Sequence, residues 1–120
     1  MAVVLVVEDH EDTLSLIAEM LRRLSYQVRT ATTAAEAVQI VEHSRPDAVL
    51  LDIKLPDASG LSGLEQLRNV LSGVPIVMLT ANTDGTIARE TLKRGAFDYI
   101  TKPFDVDRLK SVLEAALVAS

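Results

Sequence analysis

The chain is 120 residues long, 48% hydrophobic but only 3% aromatic, and carries a formal net charge of −5. Its length allows one domain around one core, its lack of cysteine excludes disulfides and thiolate metal sites, and its acidity argues against gripping nucleic acid through phosphate neutralisation. No apolar run approaches the roughly 20 residues of a membrane span, and Met1 leads into a strand-like run without a basic segment; neither signal peptide nor membrane is expected, and the expected location is cytoplasmic.

Val3–Val7 is a continuous run of valine and leucine, the pattern of a strand buried on both faces. Asp12 or Thr13 can cap the helix that follows, whose apolar positions Leu14, Ile17, Ala18, Leu21 and Leu24 keep helical spacing. Tyr26–Ala31 alternates, with Tyr26, Val28 and Thr30 on one face and Gln27 and Arg29 on the other, as in a half-exposed edge strand. Thr33 can cap a second helix that carries Ala34, Ala37, Val38 and Val41 and ends before Pro46. Ala48–Leu51 reads as the third strand. Turn formers follow it (Pro56, Asp57, Ser59, Gly60), then a helix marked by Leu61, Leu64, Leu67 and Leu71 that stops near Gly73 and Pro75. Ile76–Leu79 is the fourth strand. The fourth helix, from about Asp84 to Arg94, is poor in apolar residues (Ile87, Ala88, Leu92) and closes on Gly95. Phe97–Ile100 is a short fifth strand, and from about Val106 a last helix carries Val106, Leu109, Leu113, Ala116 and Leu117 on one stripe.

Strand and helix thus alternate five times, with no repeat, low-complexity tract or linker. The expected fold is α/β: a (βα)5 doubly wound, five-stranded parallel sheet ordered 2-1-3-4-5, a flavodoxin-like three-layer sandwich occupying residues 1–120. All strand C-termini of such a sheet lie on one edge. Five polar positions stand where apolar runs give out, so they would meet there: Glu8 and Asp9 after strand one, Asp52 after strand three, Thr80 after strand four, and Lys102, followed by Pro103, just past strand five.

Three carboxylates, a hydroxyl and an ammonium suit the holding of Mg²⁺ (or Mn²⁺) and a phosphoryl group. Mg²⁺ takes one or two carboxylates plus waters and phosphate oxygens, and acids crowded at this edge repel one another unless a divalent cation neutralises them. A carboxylate such as Asp52 can attack a phosphoryl donor to give an acyl phosphate. Thr80 and Lys102 supply donors to meet the developing charge, and the X-Pro bond after Lys102 can be cis and fix the direction of the lysine. Each residue alone has a plainer reading. Glu8 and Asp9, with His10, Glu11 and Asp12, could form a solvated turn or capping cluster; Asp52 could be a turn residue, Thr80 a strand-end hydroxyl bonded to backbone, and Lys102 an exposed loop lysine. His10 reads as a solvent-facing loop residue, with a metal or phospho-transfer role as the alternative, and His43 as a cation near a helix end, where it favours the dipole. Two enzyme classes fail on the residues present. No Gly-rich phosphate loop follows strand one, as a flavodoxin needs, and Lys54 stands where a phosphatase of the haloacid dehalogenase type has a second Asp.

Over nearly its whole length the chain resembles the receiver domain of bacterial two-component response regulators, the CheY-like family. The likeness is carried by Val-Val-Glu-Asp (6–9), Leu-Leu-Asp-Ile-Lys-Leu-Pro-Asp-Ala-Ser-Gly-Leu (50–61), Val-Met-Leu-Thr-Ala (77–81) and Gly-Ala-Phe-Asp-Tyr-Ile-Thr-Lys-Pro-Phe (95–104), four motifs in the family's order and spacing. The resemblance implies a phosphorelay signalling domain rather than an enzyme, one that assists only its own Mg²⁺-dependent phosphorylation and dephosphorylation. It implies Asp52 as the phosphoacceptor, with Glu8, Asp9, Asp52 and the backbone carbonyl of Lys54 as metal ligands. Lys102 would pair with the phosphoryl oxygens, and Thr80 and Tyr99 would be the switch residues. The implied partners are a sensor histidine kinase or phosphotransfer protein, and a second copy of the chain through the face of helix four, strand five and helix five.

No output domain is expected within the chain. The departures from the family pattern are small. Ser59 replaces the usual Asp or Asn before Gly60 and should alter only the loop. By the same resemblance, Lys54 and Asn82, each two residues past a site position, would flank the path of an attacking water and tune phosphoryl lifetime. The alternative from another class is a phosphorylation-independent receiver-fold module for protein interaction or dimerisation, against which the five intact active positions weigh.

Overall fold

The computed structural model describes residues 1–81 and 85–119. Strands and helices alternate as β1 (Val3–Val7), α1 (Glu11–Arg23), β2 (Gln27–Ala31), α2 (Ala34–His43), β3 (Ala48–Asp52), α3 (Gly60–Val70), β4 (Ile76–Ala81), α4 (Gly85–Lys93), β5 (Asp98–Lys102) and α5 (Val106–Ala119). The strands pair in parallel in the order β2-β1-β3-β4-β5, the doubly wound sheet that the apolar pattern predicts. None of the described helices is long and apolar enough to cross a membrane.

Successive strand residues point to opposite faces of the sheet. On one face Val4, Val6, Ala48, Leu50, Val77, Leu79 and Ile100 form a core with Ile17 and Leu21 of α1 and Leu109, Val112, Leu113 and Ala116 of α5. On the other, Leu5, Val7, Val49, Leu51, Ile76 and Met78 form a core with Ala37 and Val41 of α2, Leu64 and Leu67 of α3 and Ala88 of α4. The three layers follow from these two apolar surfaces.

Element limits shift from the sequence reading where backbone pairing and side-chain polarity part company. β2 begins at Gln27, leaving Tyr26 in the turn after α1, and Phe97 lies just before β5. Meanwhile β3, β4 and β5 run on through Asp52, Thr80 and Lys102, because ladder bonds continue past the end of the apolar run: Asp52 is in register with Leu79, and Ala81 with Lys102. α4 starts at Gly85; Asn82 and Asp84 lie outside the described residues.

Helix starts also differ. α1 is capped by His10 rather than Asp12 or Thr13: His10 Nδ1 accepts from the Thr13 N–H at 3.4 Å and lies 3.1 Å from Thr13 Oγ1. Ser59 caps α3, its Oγ accepting from the Ser62 N–H at 3.2 Å, so position 59 bears on the helix as well as the loop. Ser, Asp and Asn are comparable caps, so the departure keeps a capping residue at this position. α2 starts as predicted on Thr33, whose Oγ1 accepts from the Glu36 N–H at 3.0 Å while Glu36 Oε1 accepts from the Thr32 N–H at 2.6 Å.

α4 is thinly buried, with Ala88 and Thr91 inside and Ile87 40% exposed. The turn that ends it is tied to α3. Arg94 pairs with Glu65 of α3 and with Glu90, each at 3.2 Å, and Arg68 Nη1 donates to the Gly95 carbonyl at 2.9 Å. Gly95 has φ +105, so the backbone favours glycine there, and a Cβ would lie 2.5 Å from the Arg68 guanidinium and displace it.

Candidate functional site

Strand parity decides which side chains meet. Glu8 continues the Val4–Val6 side of β1, Asp52 the Ala48–Leu50 side of β3 and Lys102 the Ile100 side of β5, so all three belong to the face covered by α1 and α5. Thr80 shares parity with Met78, and Tyr99 packs with the same core, so both belong to the face covered by α2, α3 and α4.

The first group lines a crevice of about 380 Å³ at the C-terminal edge of the sheet, together with Asp9, His10, Thr13, Lys54 and Ala81. Glu8, Asp9 and Asp52 each bring a carboxylate oxygen to within 4.8 Å of the others. Glu8 is 1% and Asp52 8% exposed, whereas Asp9 is open to solvent. The Lys102 ammonium donates to Glu8 Oε1 at 2.6 Å and stands 3.4 Å from Asp52 Oδ2. The Lys54 N–H donates to Asp52 Oδ1 at 3.1 Å. The Lys102–Pro103 peptide is cis.

Burial, and then the neighbouring Glu8 carboxyl, push the Asp52 carboxyl up to about 7, against the opposing pull of the Lys54 N–H and the Lys102 ammonium. Lys102 is shared by two buried acids with a third acid beside them, so the carboxylates of the cluster repel one another. Crowded carboxylate oxygens of this kind fit a hard divalent cation such as Mg²⁺. Such a cation would draw the proton off Asp52.

Thr80 stands apart from this group. Its hydroxyl donates to the Ala81 carbonyl at 3.0 Å, the residue is 2% exposed, and it does not line the crevice. Tyr99 is half-buried against the core beside α4. Glu8, Asp9, Asp52, Lys54 and Lys102 are therefore gathered, while Thr80 and Tyr99 sit behind them. The sequence reading missed Ala81 and Thr13 as lining residues. Parity could have found Ala81, since the residue after Thr80 must face the other way, toward Asp52.

The profile of the response regulator receiver domain matches residues 4–114. The chain belongs to that family. This receiver is 40% identical over 117 residues to the transcriptional regulatory protein KdpE of Mycobacterium tuberculosis, which covers 98% of the chain and 51% of KdpE, so the chain spans about half the length of that relative. Among solved structures it resembles the receiver domain of NtrX from Brucella abortus, with a TM-score of 0.94 and 35% identity over 98% of this chain and 99% of that one. It also resembles the receiver domain of the sensor histidine kinase PA1611 from Pseudomonas aeruginosa, solved with a magnesium ion coordinated in its active-site cleft (TM-score 0.87, 35% identity, 98% of each chain). The receiver is thus a signalling domain of the two-component type, and its relatives named here are bacterial.

Proposed function

We propose that the receiver accepts a phosphoryl group on Asp52 from the phosphohistidine of a sensor histidine kinase or phosphotransfer protein. The observation that carries this is the crevice at the strand ends, where a buried carboxylate lies 3.4 Å from an ammonium and beside two further acids. Glu8, Asp9, Asp52 and the Lys54 carbonyl would hold Mg²⁺ (or Mn²⁺), whose charge offsets that of the carboxylate and phosphoryl oxygens. An Asp52 oxygen forms the new bond to phosphorus as the P–N bond of the donor breaks, and the electron pair returns to the imidazole nitrogen. Lys54 N–H orients the carboxylate through Oδ1, and Lys102, already beside both buried acids, meets the phosphoryl oxygens. The magnesium in the cleft of the related PA1611 receiver supports the same use of this edge. On this reading the domain is no enzyme for an external substrate; it assists its own phosphorylation and dephosphorylation.

A phosphoryl group on Asp52 gives the Thr80 hydroxyl a stronger acceptor than the Ala81 carbonyl it now uses. Thr80 then turns toward the crevice, Tyr99 takes the space it leaves, and the face of α4, β5 and α5 is remodelled for a partner or a second copy of the chain. The thin burial of α4 supports a low cost for this change.

The test is treatment with acetyl phosphate, with and without Mg²⁺, followed by borohydride trapping and peptide mapping. Labelling at Asp52 that requires Mg²⁺ and disappears in Asp52→Asn, with circular dichroism unchanged, is the expected outcome. Labelling elsewhere, or undiminished labelling of Asp52→Asn, overturns the assignment. Amide exchange with beryllium fluoride and Mg²⁺ should change in α4, β5 and α5; changes confined to α1 and α2 would rule out the switch.

A further inference from the structure

The loop between β3 and α3 leaves the crevice at Lys54 and turns back at Pro56 and Asp57. A single antiparallel bridge closes the turn, with the Leu55 N–H donating to the Ala58 carbonyl at 3.2 Å. At its tip Asp57 reaches away from the crevice and onto α2. One carboxylate oxygen accepts from the Ala34 N–H at 2.9 Å and the other from the Ala35 N–H at 3.0 Å.

Those N–H groups belong to the first turn of α2, where no intrahelical carbonyl can reach them. The next N–H in line, that of Glu36, is already served by Thr33. The helix therefore has its own local cap, and Asp57 adds a second from a distant segment. The two N–H groups hold the Asp57 carboxyl below its ordinary value. Near the loop's start, Lys54 N–H is fastened to Asp52 Oδ1 at 3.1 Å. A short surface loop built from turn formers is thus pinned to the phosphoacceptor position at one end and to a helix at its tip.

We propose that Asp57 is a positioning residue: by clamping the β3–α3 loop to the N-terminus of α2, it fixes the Lys54 backbone beside Asp52 and so the carbonyl assigned to the metal. The inference rests on the metal and phosphoacceptor reading above. Asp57 itself touches neither the crevice nor anything bound there, and a helix cap with no further role would behave differently.

Mg²⁺ titration calorimetry without any phosphodonor separates the two, using Asp57→Ala, Asp57→Asn and, as comparator, Thr33→Ala. Asp57→Ala should weaken Mg²⁺ binding about tenfold, the low end of the loss caused by removing outer-shell support, and amide exchange should quicken over residues 53–59. Asp57→Asn keeps one acceptor oxygen and should recover part of the affinity. Thr33→Ala removes a cap of the same helix and should lower the melting temperature while leaving Mg²⁺ affinity at the wild-type value. Unchanged affinity in Asp57→Ala, or an equal loss in Thr33→Ala, overturns the proposal; should Asp57→Ala fail to fold, Asp57→Asn carries the same comparison. Wild-type protein that binds no Mg²⁺, or binds it equally well as Asp9→Asn, defeats the underlying metal reading and this inference with it. Wild-type binding matched by Asp57→Ala defeats this inference alone.

Discussion

Lys102 and Glu8, 94 residues apart in sequence, meet in a 2.6 Å ion pair whose carboxylate side chain is 1% and whose lysine side chain is 27% exposed. The same ammonium is the cation nearest Asp52, at 3.4 Å. Removing one partner of a fully buried pair typically costs about 3–5 kcal/mol; with the lysine a quarter exposed, solvent screening lowers the expected loss for Lys102→Ala to about 2 kcal/mol. Urea unfolding in EDTA should show that loss, and saturating Mg²⁺ should shrink it by replacing the missing charge. An equal loss with and without Mg²⁺ would mean that the lysine is not the cluster's resident counter-charge.

Asp9 is the exposed member of the acidic group, so removing its charge relieves repulsion without emptying a buried space. Asp9→Asn should weaken Mg²⁺ by at least the about 10-fold that loss of a supporting residue costs, and should raise the melting temperature of the metal-free protein by a few degrees. Thermal melts in EDTA that show the variant less stable than its parent would contradict the crowding argument.

The sequence made the sheet legible because β1 and β3 are buried on both faces and therefore read as unbroken apolar runs. It also located the edge where Glu8, Asp9, Asp52 and Lys102 converge, since strand C-termini of a parallel sheet share that edge. What strand ends alone did not reveal was the face. Thr80 lies inside β4 with its hydroxyl on its own neighbour's carbonyl, and parity, not proximity in sequence, separates it from Asp52. Asp57 was illegible for a different reason. Its partners lie 22 and 23 residues away, and locally Pro-Asp-Ala-Ser-Gly is simply a turn.

Asp57 also has a pH signature. Its carboxyl titrates below the ordinary 3.8 because Ala34 and Ala35 donate to the charged form. A folded value below the unfolded one means that the contribution is present above the unfolded value and is lost as pH falls through the folded one. The melting-temperature gap between wild type and Asp57→Asn should therefore hold steady from about pH 7 to pH 5 and shrink in stronger acid. It should be small throughout, since the residue is largely exposed. A gap that widens on acidification would be inconsistent with the clamp.

Ser25 follows the C-cap of α1 with φ +70, a left-handed conformation for a residue that has a Cβ. That conformation costs about 1–2 kcal/mol outside glycine, offset in part by the greater freedom of glycine in the unfolded chain. Ser25→Gly should stabilise by about 0.5–1 kcal/mol in chemical denaturation. A destabilised variant would show that the serine side chain matters more than its backbone.

Under the proposed switch, the ties at the end of α4 would make that helix a lever. Its fulcrum is the contact with α3, where Arg94 meets Glu65 and Arg68 meets the Gly95 carbonyl. Its other end, Gly85, lies roughly 12 Å along the axis at 1.5 Å per residue, four residues beyond the last residue of β4. Under the switch proposed above, a push from β4 would tilt the rod about its distal pivot instead of sliding it whole. Displacement would then grow along the shaft toward Ile87 and Gly85 and be least at Arg94, so a partner that reads the tilt would have most to gain by gripping the swinging tip.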